Sequence, residues 1–220
     1  MPSTVSGDYS QYPQSIREVF PILLGESFKL REAYGVYFYL FMEKKERTEV
    51  MSDKLGAVLA MFQYLLQDEI FLSIARLTDK DSSGQKNLCL SALLASIPDA
   101  QDAAFASKVT VAFDQICHAA NSVRKHRHKR IAHFDLNVSL SAATLPDVTF
   151  KEISDLIEQI ESFLNIFSKK FAKRSILFDT FSSRPITHKA EVTSYKALTY
   201  DLLEAEGVIP KHEWKKRTGN

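Results

Sequence analysis

Two cysteines, Cys89 and Cys117, are all that the 220 residues contain. They are too few and too isolated for a disulfide framework or a Cys-based zinc site. Glycine and proline number seven each. All-β folds spend turn residues at short intervals, so this composition argues against a sandwich or barrel. An excess of either charge is also missing: 28 basic residues stand against 27 acidic ones, a net of +1. The whole chain is therefore no general polyanion binder, and a nucleic-acid site has to be a local patch. The most apolar run, Ala33 to Met42, has ten residues between Glu32 and Glu43, where a membrane span needs about 20. The N-terminus, MPSTVSGDYSQYPQS, has neither a basic n-region nor an apolar h-region and does not read as a secretory signal. Neither a Gly-rich phosphate loop nor a Ser or Cys nucleophile motif occurs, so nucleoside-triphosphate and Ser or Cys hydrolase readings have no support. The expectation is a soluble cytoplasmic protein with reduced cysteines and no membrane partner.

What is present is apolar sequence at helical spacing. Apolar types make up 45% of the chain, with 15 Phe. Residues 1–14 read as a polar, unordered arm. A helix is expected from Ile22 to about Lys45, its start blurred by Pro21 and Gly25. Leu55, Val58, Leu59, Phe62, Leu65, Leu66 and Ile70 recur at i, i+3, i+4, i+7 and predict a helix over 53–77. TDKDSSGQK, residues 78–86, is a loop. Asn87 is the expected N-cap of a short helix through Leu94. Pro98 and Asp99 open a helix whose buried stripe is Phe105, Val109, Ala112, Phe113, Ile116, Ala120 and Val123. Thr149 and Glu152 form a capping box ahead of Ile153, Leu156, Ile157, Ile160, Phe163, Leu164, Phe167 and Phe171. Tyr195, Leu198, Leu202 and Leu203 suggest a last short helix before a basic tail. The expected fold is all-α: an antiparallel helical bundle over residues 15–180 with a C-terminal helical extension, 181–220.

The chemistry concentrates in RKHRHKRIAHFD, residues 124–135. Five Lys or Arg (Arg124, Lys125, Arg127, Lys129, Arg130) and two His fall within seven residues, and no acidic residue occurs between Asp114 and Asp135. A solvated cationic helix end is the plain reading, because positive charge suits a helix C-terminus. Ile131 and Ala132, however, would pin His133 against the bundle. Metal binding by His126, His128 and His133 is disfavoured. His126 and His128 diverge by about 200° on a helix, and clustered cations oppose a divalent ion. No metal and no cofactor are expected. Phosphate chemistry fits better, since Arg forks onto phosphate oxygens and His moves a proton near neutral pH. The surrounding cations oppose protonation of His133, which suits a base. RNA affinity is expected to fall steeply with salt. Among the other residues, Asp135 reads as a cap, Arg76 and Asp79 as an ion pair, and His118 as core or partner-facing. Tyr34, Tyr37, Phe38, Tyr39 and Phe41 read as core or dimer interface rather than a base-stacking platform.

Arg127-His128-Lys129-Arg130-Ile131-Ala132-His133 resembles the R-x(4–6)-H signature of the HEPN ribonuclease superfamily, with a polar residue directly after the Arg. The longer RHKRIAHFD, with Ala75-Arg-Leu-Thr-Asp79 and Asn87-Leu-Cys-Leu90 upstream, resembles the abortive-infection, AbiU-type branch over roughly residues 15–175. The resemblance implies an HEPN-like bundle that pairs as a homodimer, with the two signatures facing across a two-fold axis. It implies a metal-independent endoribonuclease used in antiphage defence or as a toxin, with a possible antitoxin or other defence-system partner. Arg127, His133 and His128 would be catalytic. Arg124, Lys125, Lys129 and Arg130 would bind the RNA backbone. The alternative is a non-catalytic HEPN dimer that binds RNA or a protein partner.

Overall fold

The computed structural model describes residues 7–42, 45–79, 87–98, 103–132, 135–140 and 144–178. Seven α-helices occur among them, and no strand: α1 (Gln14–Phe41), α2 (Lys45–Thr78), α3 (Leu90–Ala95), α4 (Ala103–Ala119), α5 (Asn121–His126), α6 (Leu136–Ser139) and α7 (Phe150–Phe167). Two π-helical stretches, Arg127–Ala132 and Ser168–Ala172, continue α5 and α7. The all-α expectation holds. The expected C-terminal extension, 181–220, lies outside the described residues.

The fold divides into two compact units, the first holding the chain up to Arg31 with Asp68–Phe178, the second including Glu32–Gln67. The first unit is built on α7. Its stripe Ile153, Leu156, Ile157, Ile160, Phe163, Leu164 and Phe167 is buried throughout. Phe167 is the hub, with ring centroids 6.4 Å from Phe20, 5.7 Å from Phe105 and 5.4 Å from Phe163. Each fully buried Phe or Leu contributes about 1.5–3 kcal/mol. Phe105, Val109, Phe113 and Ile116 bring α4 onto this stripe, as their spacing predicts. The capping box is present: Glu152 N donates to Thr149 Oγ1 at 3.2 Å, and Thr149 N donates to Glu152 Oε2 at 2.7 Å. The Thr149 backbone N–H foremost, and the Thr149 hydroxyl, which donates to Glu152 Oε2 at 2.7 Å, hold the Glu152 carboxyl below its ordinary range. Arg31 bridges α1 to α7 through a paired contact with Glu161, Nε to Oε1 and Nη2 to Oε2, both at 2.5 Å.

Helix boundaries differ from expectation in α1, α2 and α3: α1 ends at Phe41 and α2 begins at Lys45 in place of 53. Helix α1 begins at Gln14 and carries Pro21 inside it. An interior proline costs about 3 kcal/mol, but Ile16, Phe20, Leu23, Leu24 and Leu30 are all buried around it, and that burial outweighs the lost hydrogen bond. Within the residues expected to form an arm, Tyr12 is buried and packs 4.9 Å from the Phe20 ring. The cap of α3 is Cys89 rather than Asn87. The Asn87 carbonyl lies 3.6 Å from Cys89 Sγ, and the helix starts two residues later than that cap would set it.

In the second unit Tyr34, Tyr39 and Leu59 are buried. Tyr34 stacks on Phe38 at 6.4 Å, and Tyr37 meets Phe41 at 5.2 Å. Helix α2 kinks at Leu55, where φ is −129° and ψ is 20°. The regular apolar spacing beyond the kink buries Leu59 but leaves most of its neighbours exposed. Leu55, Val58, Met61, Phe62, Tyr64 and Leu65 are 44–64% exposed. Among the described residues one stretch, Leu55–Thr78, has the length and composition of a membrane span. Its later part is core of the first unit, through Ile70, Phe71, Ile74 and Leu77.

Candidate functional site

The basic block occupies α5 and the π stretch after it. Helix α5 is fixed by Val123, which is buried, and by His126. His126 Nε2 lies 2.7 Å from the Pro146 carbonyl oxygen, and its ring meets the edge of Phe71 at 5.3 Å. A carbonyl only accepts, so Nε2 carries the proton. His126 Nδ1 is buried without a hydrogen-bond partner among the described residues. His126 thus ties the loop before α7 to α5.

Most of the block's cations meet acceptors from this same chain. Arg124 donates from Nη1 to the Thr78 carbonyl at 3.0 Å and from Nη2 to the Cys117 carbonyl at 2.7 Å. Arg127 donates from Nη2 to Asp79 Oδ2. Lys129 reaches Asp135 at 3.2 Å, and Arg130 reaches Asp68 at 2.6 Å while lying 5.9 Å over the Phe71 ring. Lys125 is exposed and has no partner among the described residues, and His128 is exposed. His133 lies outside the described residues. Asp135 also accepts from Val138 N at 3.2 Å, capping α6 as expected.

The acidic partners were not apparent as site residues. Asp68, Phe71, Ala75, Thr78 and Asp79 follow one another at helical spacing, so a single face of α2 meets the block. That spacing is the signal in the sequence. The expected Arg76–Asp79 pair does not form. Arg76 instead bonds Glu69 at 2.6 Å and Ser73 at 2.9 Å, because residues seven apart share a helix face. Asp79 turns to Arg127. It sits just past the last residue of α2, where its amide still bonds the Ala75 carbonyl at 2.8 Å. A carboxylate at that pole of a helix is disfavoured by about 0.3–1 kcal/mol. Arg127 and Arg124 offset this. Arg127 and Asp79 are both partly exposed, at 29% and 26%. Asp79 holds the Arg127 guanidinium at Nη2, and Nε and Nη1 have no partner among the described residues. His118, expected in the core or facing a partner, is solvent-exposed on α4.

A family model, HEPN_AbiU2, matches residues 18–184. The chain belongs to the AbiU2 family of HEPN proteins. No curated protein and no solved structure gives a significant match. The AbiU2 match takes in both α2 and the basic block, so the Asp79–Arg127 contact lies wholly inside the family's span. The membership makes this an abortive-infection type of HEPN protein.

Proposed function

We propose that this HEPN protein is a metal-independent endoribonuclease of antiphage defence or toxin type. Neutral His133 takes the proton of an RNA 2′-hydroxyl, and the 2′-oxygen attacks the adjacent phosphorus. The P–O5′ bond breaks, and the leaving oxygen takes a proton from the imidazolium of a second copy. The products are a 2′,3′-cyclic phosphate and a 5′-hydroxyl. Arg127 stabilises charge on the non-bridging oxygens, and His128 helps to orient the phosphate. The observation that carries this reading is Arg127 itself, at the head of the signature, partly exposed and bonded through Nη2 alone among the described residues. RNA brings its own nucleophile, so the cycle needs no metal-bound water. One imidazole per chain makes a homodimer the economical arrangement, and the exposed apolar residues of α2 offer a surface for pairing. An antitoxin or other defence-system protein would restrain the enzyme in the cytoplasm.

A second reading, a non-catalytic HEPN dimer that binds RNA or a protein, is favoured by the pairing of the block's cations within the chain. Labelled RNA incubated with the full chain in chelator separates the two. Cyclic-phosphate ends that vanish in Arg127→Ala and His133→Ala support the enzyme. Intact RNA sinks it, and a gel shift without cleavage supports the binder.

A further inference from the structure

We propose that Asp79 is a positioning residue for Arg127, an inference that rests on the ribonuclease reading. Its carboxylate occupies the one place on α2 where the helix field opposes an anion. Local rules broken in this way concentrate at functional sites. The backbone beneath it is held from three sides. Thr78 is fully buried, and its carbonyl accepts from Arg124 at 3.0 Å and from Cys117 Sγ at 3.8 Å. The Asp79 amide is bonded to Ala75. A fixed carboxylate therefore grips Nη2 of a long, otherwise mobile side chain. The grip fixes the guanidinium plane through one Nη2 N–H and leaves the remaining N–H donors for phosphate oxygens. Asp79 itself touches no substrate. It spares the site the cost of ordering Arg127 at the moment of reaction.

The test is single-turnover cleavage and RNA affinity for the full-length wild type, Asp79→Ala, Asp79→Asn and Asp79→Glu. Asparagine keeps an oxygen in place without the charge. Glutamate keeps the charge and displaces it by one methylene. The expected result is a rate loss of roughly ten- to a hundredfold in Asp79→Ala and Asp79→Glu. RNA affinity should be equal or tighter in Asp79→Ala, since a negative charge near phosphate is gone. Asp79→Asn should stay within about threefold of wild type. If the alanine variant does not fold, the Asn–Glu pair decides alone. Equal losses in Asn and Glu, or weakened RNA binding as the main effect, overturn the assignment. A wild type that cuts while Asp79→Ala cuts equally well also overturns it, and leaves the ribonuclease standing. A wild type that does not cut sinks both.

Discussion

Arg124 belongs to the basic block by sequence but acts as a clamp in the fold. Truncating it to alanine removes two charge-assisted hydrogen bonds, to the Thr78 carbonyl at 3.0 Å and the Cys117 carbonyl at 2.7 Å. Such bonds are worth about 1.5–3 kcal/mol each. The guanidinium is partly exposed, and water can replace some of what is lost, so the expected cost is about 2–4 kcal/mol. At about 2–4 °C per kcal/mol for a chain of this size, the melting temperature should fall by roughly 4–16 °C. Lysine, a point charge in place of a fork, should recover only part of this. The control is Lys125→Ala one residue on, an exposed position where the expected change is within about 0.5 kcal/mol. Thermal denaturation followed by circular dichroism reads all three. If Arg124→Ala and Lys125→Ala melt together, the clamp carries no stability and the reasoning from its two carbonyls is wrong.

Breaking the Arg31–Glu161 pair with Glu161→Ala removes the paired acceptor of a largely buried guanidinium and should cost about 3–5 kcal/mol; denaturant titration measures it, and a loss below about 1 kcal/mol would contradict the weight given to the pair. With four of the block's five cations already bonded within the chain, the steep salt dependence expected from the sequence gives way to a shallow log–log slope of RNA affinity, no steeper than about −2 at roughly −0.7 per phosphate. A slope beyond about −3 would mean that the ion pairs open on binding. Replacing Phe62 and Leu65 by serine should lower the sedimenting mass of a dimer while leaving melting nearly unchanged; an unaltered mass would remove the α2 face from the interface. The folded-state pKa of Glu152 is depressed below its ordinary 4.5, so its capping contribution is complete above that value and lost as pH falls through the folded value. Protection of the first α7 amides, taken relative to their intrinsic exchange at each pH, should therefore fall under acid and stay constant between pH 6 and 8.

The parts of the fold that could be read in advance are those where local pattern and tertiary packing agree. Helices α4 and α7 bury the stripes their spacing marks, and Thr149–Glu152 caps as its chemistry requires. Pro21 misled because its local penalty is visible in sequence, while the burial of Phe20 and Leu23 that overrides it is not. Leu55, Val58, Phe62 and Leu65 show the converse, apolar residues at regular spacing that stay exposed while Leu59 among them is buried. The block and its lead residue Arg127 were legible from composition. Asp79 and Asp68 were not, because they lie 48 and 62 residues from their arginines and meet them only once α2 has docked. Arg76 lay nearer in sequence to Asp79, and the nearer partner was the wrong one.

Between Arg127 and Ala132 the backbone winds in π form, each amide reaching five residues back in place of four. A coil of that width accommodates more chain per turn than an α-helix would over the same path. The azimuth of each guanidinium there is consequently a matter of counting. Removing one residue from the stretch would let it tighten to α geometry, with every remaining arginine retained and its bearing toward Asp79 or Asp68 swung aside. Length, as much as composition, is what this short span encodes.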